Sequence, residues 1–370
     1  MKIPYTNIAA QHVRIKNEIL SAVGNVLDHG KFILGNEVEE FECRFADLCK
    51  VSYAIGVNSG TDALILALRS LGIGPGDEVI TVPNSFVAST SCVALVGARP
   101  VFVDVRDDYN IDPSMIEQAI TSRTRAILPV HLTGRPANMT SIMEIAKAHD
   151  LDVIEDCAQA VCAEYERERV GSFGTIGCFS LHPLKTLNAC GDGGVLTTND
   201  PRLYERLRKL RNVGLHNRDE CHFWGYNSRL DTMQSAILLI KLHYVEEWTE
   251  IRRAYADYYR RRLNGLPQVQ VPNEKSNERC VYHTYVIQAD RRDELKDYLG
   301  EHGIDTKIHY PIPIHLQQAA KYLEYTEGQF PVTERLASKI LSLPIYPELR
   351  IDELEYIATT VCSFYDTEEE

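Results

Sequence analysis

Short apolar runs alternate with amphipathic stretches through the first two-thirds of the chain. The amphipathic stretches predict helices at residues 61–71, 113–120 and 140–149. Apolar runs predict strands at residues 53–57, 78–82, 99–104, 124–130, 151–155 and 177–180. Strands separated by helices are typical of βαβ units and of a sheet covered on both faces. The pattern therefore predicts an α/β fold, with a mostly parallel sheet flanked by helices and a ligand site at the carboxyl ends of its strands.

The last third of the chain has a different pattern. Apolar residues three and four positions apart predict one long helix over residues 232–262, with one face packed against the rest of the protein. A turn-rich stretch then precedes a predicted strand at 282–288 and a predicted helix at 292–302. These elements predict a large domain over residues 1–240 and a small C-terminal α+β domain over residues 241–370, which includes the connecting helix.

Composition narrows the class of protein. The 370 residues carry a net charge of −13, which argues against a nucleic-acid binder because such proteins need a basic surface. The first residues lack the apolar region of a signal peptide, and no apolar run approaches the ~20 residues of a membrane helix. The ten cysteines form no C-x-x-C pair, so their spacing predicts no metal site. We expect a cytoplasmic protein without a nucleic-acid or membrane partner.

Two segments at predicted strand ends could bind an anion or a charged ring. Residues 58–64 (NSGTDAL) follow a strand and open a helix with small side chains, which suits a phosphate at a helix N-terminus. An ordinary capped turn is the alternative. Residues 151–160 end a strand in Glu155 and Asp156, which alternation places on opposite faces of the sheet. Such an acid could hold a metal, a ribose or a protonated ring nitrogen, and a solvated strand end is the alternative.

A third segment surrounds Lys185 in a largely uncharged stretch, where His182 is the only other acid or base between Gly174 and Asp192. Desolvation disfavours an ammonium, so a lysine in this stretch could lose its proton and act as a nucleophile. A surface lysine is the alternative. A phosphate cradle, an acid for a pyridinium nitrogen and a desolvated lysine are together what pyridoxal 5′-phosphate (PLP) requires.

Five motifs, in order along the chain, resemble one family. They are NSGTDAL, PNSFVAS, EDCAQA, FSLHPLKTLNACGDGG and GYNSRLDTMQSA, and a further segment, HYPIPIHLQ, lies near the C-terminus. Together they resemble the DegT/DnrJ/EryC1/StrS family of fold-type I, PLP-dependent aminotransferases, which act mostly on nucleotide-linked keto-sugars. The resemblance covers essentially the whole chain.

The resemblance implies a role for each matching residue near the cofactor. Lys185 would bind the cofactor covalently and move the proton, and Asp156 would pair with the pyridinium nitrogen. Phe86 would stack on the cofactor ring, and a core phenylalanine is the alternative. The remaining residues implied to bind the cofactor, through its phosphate or its 3′-oxygen, are Gly60, Thr61, Gln159 and Ser180.

Four more residues are implied at the edges of the site. Asn227 would reach the phosphate of the partner subunit's cofactor in a homodimer with shared active sites. Its alternative role is to cap the helix that begins near Asp231. His309, Tyr310 and His315 would lie on the substrate side, where the two histidines could instead be loop residues without a ligand.

The activity that the resemblance implies is a ping-pong transamination from glutamate to a keto group of a nucleotide-linked sugar. The GDGG sequence at residues 191–194 favours C-3, whereas LHP at 181–183 departs from the sequence expected beside it in C-3 enzymes. One alternative is the same chemistry on a keto-cyclitol or a small keto-phosphate. Another is a PLP-dependent sugar dehydratase, in which a histidine replaces the lysine. A third is a non-catalytic regulatory protein, which the loss of Lys185 or Asp156 would favour.

Overall fold

A computed structural model describes residues 1–366, and the features below belong to that part of the chain. The helices are α1 (Ile8–His29), α2 (Asn36–Cys49), α3 (Gly60–Ser70), α4 (Ala88–Leu95), α5 (Ile116–Ala119), α6 (Met139–Ala148), α7 (Pro201–Leu210), α8 (Thr232–Leu242), α9 (Val245–Leu263), α10 (Arg292–Glu301), α11 (Pro331–Lys339) and α12 (Ile351–Asp366). The strands are β1 (Tyr53–Val57), β2 (Glu78–Thr81), β3 (Arg99–Phe102), β4 (Thr124–Ile127), β5 (Asp152–Asp156), β6 (Glu164–Tyr165), β7 (Glu168–Arg169), β8 (Ile176–Ser180), β9 (Gly194–Thr198), β10 (Val269–Gln270), β11 (Glu278–Arg279), β12 (Tyr285–Ala289) and β13 (Ile340–Leu343).

A seven-stranded sheet lies at the centre of the N-terminal part of the chain. Its strand order is β1-β9-β8-β5-β4-β2-β3, and every strand except β9 runs in the same direction. Nearly all positions of these strands are buried, as apolar strands between two layers of helices should be. The α/β prediction and the six strand predictions are confirmed, but the sequence did not predict β9, whose five residues follow directly on a glycine-rich segment.

The predicted single helix over residues 232–262 is wrong, because the structure has two helices separated at His243 and Tyr244. The Nδ1 atom of His243 lies 2.9 Å from the carbonyl oxygen of Leu239, which is the acceptor that the His243 N–H would need for a continuous helix. The N–H donates instead to Ile240. Apolar spacing continues through this break because both helices bury residues on one face, so periodicity alone could not detect it.

Separate apolar clusters fill the two ends of the molecule. One cluster lies between the seven-stranded sheet and its helices. A second lies between the three-stranded sheet β10-β12-β13 and helices α9, α10 and α12. Ile3, at the start of the chain, is buried in the second cluster. The division into domains at residue 240 stays a prediction, and residues 367–370 of its second domain lie outside the described part. Among residues 1–366, no helix has both the length and the apolar character to cross a membrane.

Candidate active site

The carboxyl ends of β1, β5 and β8 lie at one edge of the large sheet, as parallel strands require. Asp156 ends β5 and is only 4% exposed. Ser89 Oγ, in α4, donates to one carboxylate oxygen at 2.7 Å, and the Ala158 N–H donates to the other at 3.1 Å. A further serine hydroxyl, Ser85 Oγ, lies 2.8 Å from that of Ser89. These contacts fix the orientation of the Asp156 carboxylate at the end of β5.

The neighbouring acid, Glu155, faces a different set of partners. Its carboxylate accepts the N–H groups of Gly171, Phe173 and Gly174 and lies 3.0 Å from Nε2 of His131. The two acids therefore have separate roles, as strand alternation predicted. Glu155 is fully buried and ties β5 to the chain segment that leads into β8.

Lys185 lies in the loop that follows β8, the strand next to β5 in the sheet. Its N–H donates to the carbonyl of His182 at 2.8 Å, which turns the chain back on itself. Burial lowers the pKa of the Lys185 amine to about 8, and the nearby Asp156 carboxylate partly opposes this shift. Near neutral pH a usable fraction of the amine is therefore uncharged and nucleophilic.

The N-terminus of α3 lies against the end of β8, the strand that leads into this loop. Ser59 caps the helix by accepting the Asp62 N–H at 3.1 Å. A Cβ atom on Gly60 would lie 2.6 Å from Cβ of Ser180, so only glycine fits where α3 meets the end of β8. Thr61 is the second residue of α3 and Ser180 is the last residue of β8, so both lie at this corner, where the positive end of the helix dipole favours an anion.

A hydrogen-bond chain joins the sheet edge to the C-terminal part of the molecule. Gln159 is buried; its Oε1 accepts the Thr133 N–H at 2.7 Å, and its Nε2 donates to the Tyr310 hydroxyl at 3.0 Å. Burial and the charge of Asp156 raise the pKa of Tyr310 to about 12, so this phenol stays protonated at neutral pH. The Phe86 ring lies 6.5 Å from that of Tyr310 and is 55% exposed, so the alternative of a core phenylalanine is wrong.

His309 lies on the same side of the cleft. Its Nδ1 is 2.7 Å from the Ser342 hydroxyl, and its ring contacts those of Tyr5 and Tyr310. Burial, with the charges of Lys185 and Lys307, lowers the pKa of His309 to about 4. The imidazole is therefore neutral in the physiological range.

Two further predicted residues, His315 and Asn227, have other surroundings. The His315 side chain is fully buried, 3.0 Å from Glu334 and against the ring of Phe330. This placement fits the alternative of a loop histidine without a ligand. Asn227 is exposed, and the N-cap of α8 is Asp231, so the capping alternative for Asn227 is wrong.

Sequence reasoning missed three residues of the cleft. Ser89 lies inside the PNSFVAS motif, whose helical start could have indicated it. Thr133 reaches Gln159 through its backbone, which leaves no signal in side-chain patterns. Burial, with the charges of Lys185, Arg252 and His309, lowers the pKa of His283 well below its usual value. His182 is exposed, and its Nδ1 accepts the Leu184 N–H at 3.3 Å.

The described residues fit PLP on their own chemistry. The cofactor needs a nucleophilic amine, a carboxylate for its ring nitrogen and donors for its phosphate. Lys185, Asp156 and the corner of Gly60, Thr61 and Ser180 provide these groups at one sheet edge. Gly60 is required because any side chain there would collide with Ser180. This part of the fit therefore does not depend on the resemblance of the NSGTDAL motif.

Comparisons with known proteins give the family. Residues 13–362 match the DegT/DnrJ/EryC1/StrS aminotransferase family. The chain is 44% identical over 349 residues to the dTDP-3-amino-3,4,6-trideoxy-alpha-D-glucose transaminase of Streptomyces venezuelae, across 94% of this chain and 92% of that relative. It is 43% identical over 368 residues to a protein of Geobacillus stearothermophilus called a pleiotropic regulatory protein, across 99% of each chain.

A solved structure agrees with these relatives. NtdA from Bacillus subtilis, with bound cofactor PMP, superposes with a TM-score of 0.93 at 30% identity, across 99% of this chain and 85% of that one. The predicted fold class, enzyme class and cofactor are confirmed. The chain belongs to the DegT/DnrJ/EryC1/StrS aminotransferase family.

Proposed function

We propose that the protein transfers an amino group from glutamate to a keto group at C-3 of a nucleotide-linked sugar, with PLP as cofactor. The observation that carries this proposal is the meeting of Asp156 and Lys185 at one sheet edge beside the α3 N-terminus. The name of the Streptomyces venezuelae relative supports both the substrate class and C-3. The GDGG sequence at residues 191–194 also favours C-3, although LHP at 181–183 departs from the sequence expected beside it.

Bound PLP supplies an electron sink for the charge that develops when a proton leaves the substrate carbon. The Lys185 amine takes that proton in its neutral form and returns it to the acceptor carbon. Asp156, held by Ser89 and Ala158, would keep a proton on the ring nitrogen. Thr61 and Ser180 would donate to the phosphate. Gln159, fixed by Thr133 and Tyr310, would contact the 3′-oxygen.

The cleft also has groups suited to an uncharged sugar. His309 is neutral and Tyr310 is protonated, so each can exchange hydrogen bonds with hydroxyl or keto oxygens without adding charge. Phe86 offers an exposed aromatic face on the same side. We propose that these three residues line the path between cofactor and sugar, with His315 supporting the loop from behind.

We also propose a homodimer with shared active sites. Asn227 is exposed, and Trp224 in the same loop is 93% exposed, which is unusual for a large aromatic side chain. Both would be buried if this loop lay against a second copy of the chain. Asn227 would then reach the phosphate in the partner's site.

The decisive experiment is spectroscopic. The purified protein mixed with PLP should develop visible absorbance, borohydride should fix the cofactor on Lys185, and glutamate should bleach the colour. Amino-sugar nucleotides that bleach it in the reverse direction then identify the acceptor. A colourless mixture would overturn the proposal. A coloured protein that neither glutamate nor any amino sugar bleaches would instead favour the regulatory role that the name of the Geobacillus relative suggests.

A further inference from the structure

A second lysine, Lys241, is buried near the active-site loop and has no part in the chemistry above. It lies in the last turn of α8 and is 0% exposed. No carboxylate among residues 1–366 forms an ion pair with it. Burying an ammonium without a counter-ion costs free energy of folding. The lysine therefore indicates a role that an apolar side chain of the same length could not fill.

Lys241 is connected to Lys185 through the side chain of one residue, Asn188. Its Nζ donates to Oδ1 of Asn188 at 2.5 Å. The Nδ2 group of Asn188 donates to the carbonyl oxygen of Lys185 at 2.9 Å and to Oε1 of Gln11, in α1, at 3.1 Å. Asn188 is 3% exposed, so water does not compete for these bonds.

The direction of these bonds explains why a lysine is required. An ammonium can only donate, so it accepts no amide N–H and must face the oxygen end of Asn188. The amide N–H₂ then points at the Lys185 carbonyl, which can only accept. With an apolar residue at position 241 the buried Asn188 oxygen would lose its donor, and only the acceptors on the N–H₂ side, Gln11 and the Lys185 carbonyl, would still hold the amide.

Other contacts keep the rest of the loop in place without fixing this orientation. Gln234, two turns before Lys241 on the same face of α8, exchanges hydrogen bonds with the backbone N–H and carbonyl of Cys190. The Ala189 N–H donates to Leu181 at 2.7 Å. Loss of Lys241 should therefore disturb the backbone at Lys185 and leave the loop folded.

We propose that Lys241 is a positioning residue, which orients the Asn188 amide and thereby fixes the main chain that carries the Lys185 amine. The expected effect on kcat rests on the proposed function, whereas the expected effect on the loop does not. Lys241 itself does not contact the cofactor or the substrate in this proposal.

Two variants test it. Lys241→Met removes the ammonium at similar length, and Asn188→Asp keeps a partner for Lys241 but has no N–H to give to Lys185. Both should lower kcat by about tenfold or more, because small displacements of a reacting group are costly, with KM changed less than about twofold. Both should also shift the midpoint of the pH titration of the visible absorbance. Lys16→Met, which removes an exposed lysine of α1, is the control for loss of one charge.

Hydrogen exchange of the purified enzyme gives a readout that needs no turnover. Exchange over residues 181–190 should rise in both variants and stay unchanged in Lys16→Met, while the melting temperature stays close to that of the wild type. A folded Lys241→Met enzyme with wild-type kcat, absorbance titration and loop exchange would overturn the proposal. If the wild type gives no colour with PLP, the proposed function fails, and the exchange comparison still decides whether Lys241 holds the loop.

Discussion

At the scale of single residues, the site depends on how burial changes the pKa of the Lys185 amine. Its pKa of about 8 lies below the usual value of a lysine because burial penalises the ammonium more than Asp156 stabilises it. The sequence indicated this from the lack of charged neighbours around Lys185. It could not indicate Ser89 as the partner of Asp156, because that contact joins residues 67 positions apart.

The pKa of Lys185 predicts how cofactor binding depends on pH. Below about 8 the amine is mostly protonated and unreactive; above it, the amine is mostly neutral. The rate at which the cofactor-free enzyme takes up PLP should therefore rise with pH and level off above about 8. Stopped-flow absorbance measures this rate, and a rate independent of pH between 6 and 9 would contradict the assignment. Lys185→Ala should bind no cofactor covalently at any pH.

Gly60 allows a test of the phosphate corner. In Gly60→Ala the new Cβ would meet Ser180 at 2.6 Å, so the unfolding free energy should fall by about 1–3 kcal/mol through overpacking. PLP affinity should fall with it, as measured by fluorescence titration. Gly24→Ala is the matched control: nothing lies within 4 Å of its new Cβ in α1, and it should stabilise by roughly 0.5–1 kcal/mol.

At the scale of elements, apolar runs predicted the parallel strands well because those strands are buried on both faces. The error over α8 and α9 has a local physical cause. At the break between α8 and α9, the His243 side chain contacts the Leu239 carbonyl in place of the backbone N–H, a contact that periodicity does not report. The place of His315 on the substrate side stays a prediction, and its contact with Glu334 in α11 is one that the motif does not report.

Glu155 connects β5 to the segment that leads into β8, and its substitution should show how much this connection stabilises the fold. Glu155→Gln keeps the shape but offers one acceptor oxygen to the three backbone N–H groups and His131. We expect a loss of about 2–4 kcal/mol in the unfolding free energy, since buried donors would be left without partners. Urea denaturation measures it. Glu144→Gln, at an exposed position of α6, should change stability by less than about 0.5 kcal/mol.

At the scale of the whole molecule, the proposed dimer makes each site depend on two chains. Lys185→Ala and Asn227→Ala should each be poorly active alone. Mixed and allowed to exchange subunits, they should recover up to about a quarter of wild-type activity, because each mixed dimer of a symmetric pair regains one intact site. A mixture no more active than its two components would contradict shared sites. Analytical ultracentrifugation should show a dimer for all three proteins.

The hydrogen bond between Gln159 and Tyr310 has a consequence for how this enzyme could be altered. It is a direct contact between the loop that follows β5 and the segment that carries His309. Grafting that segment from a relative with another sugar preference should therefore succeed only where the donor keeps a phenol at this position. Where it does, the grafted enzyme should take on the sugar preference of the donor and keep the PLP-dependent reaction.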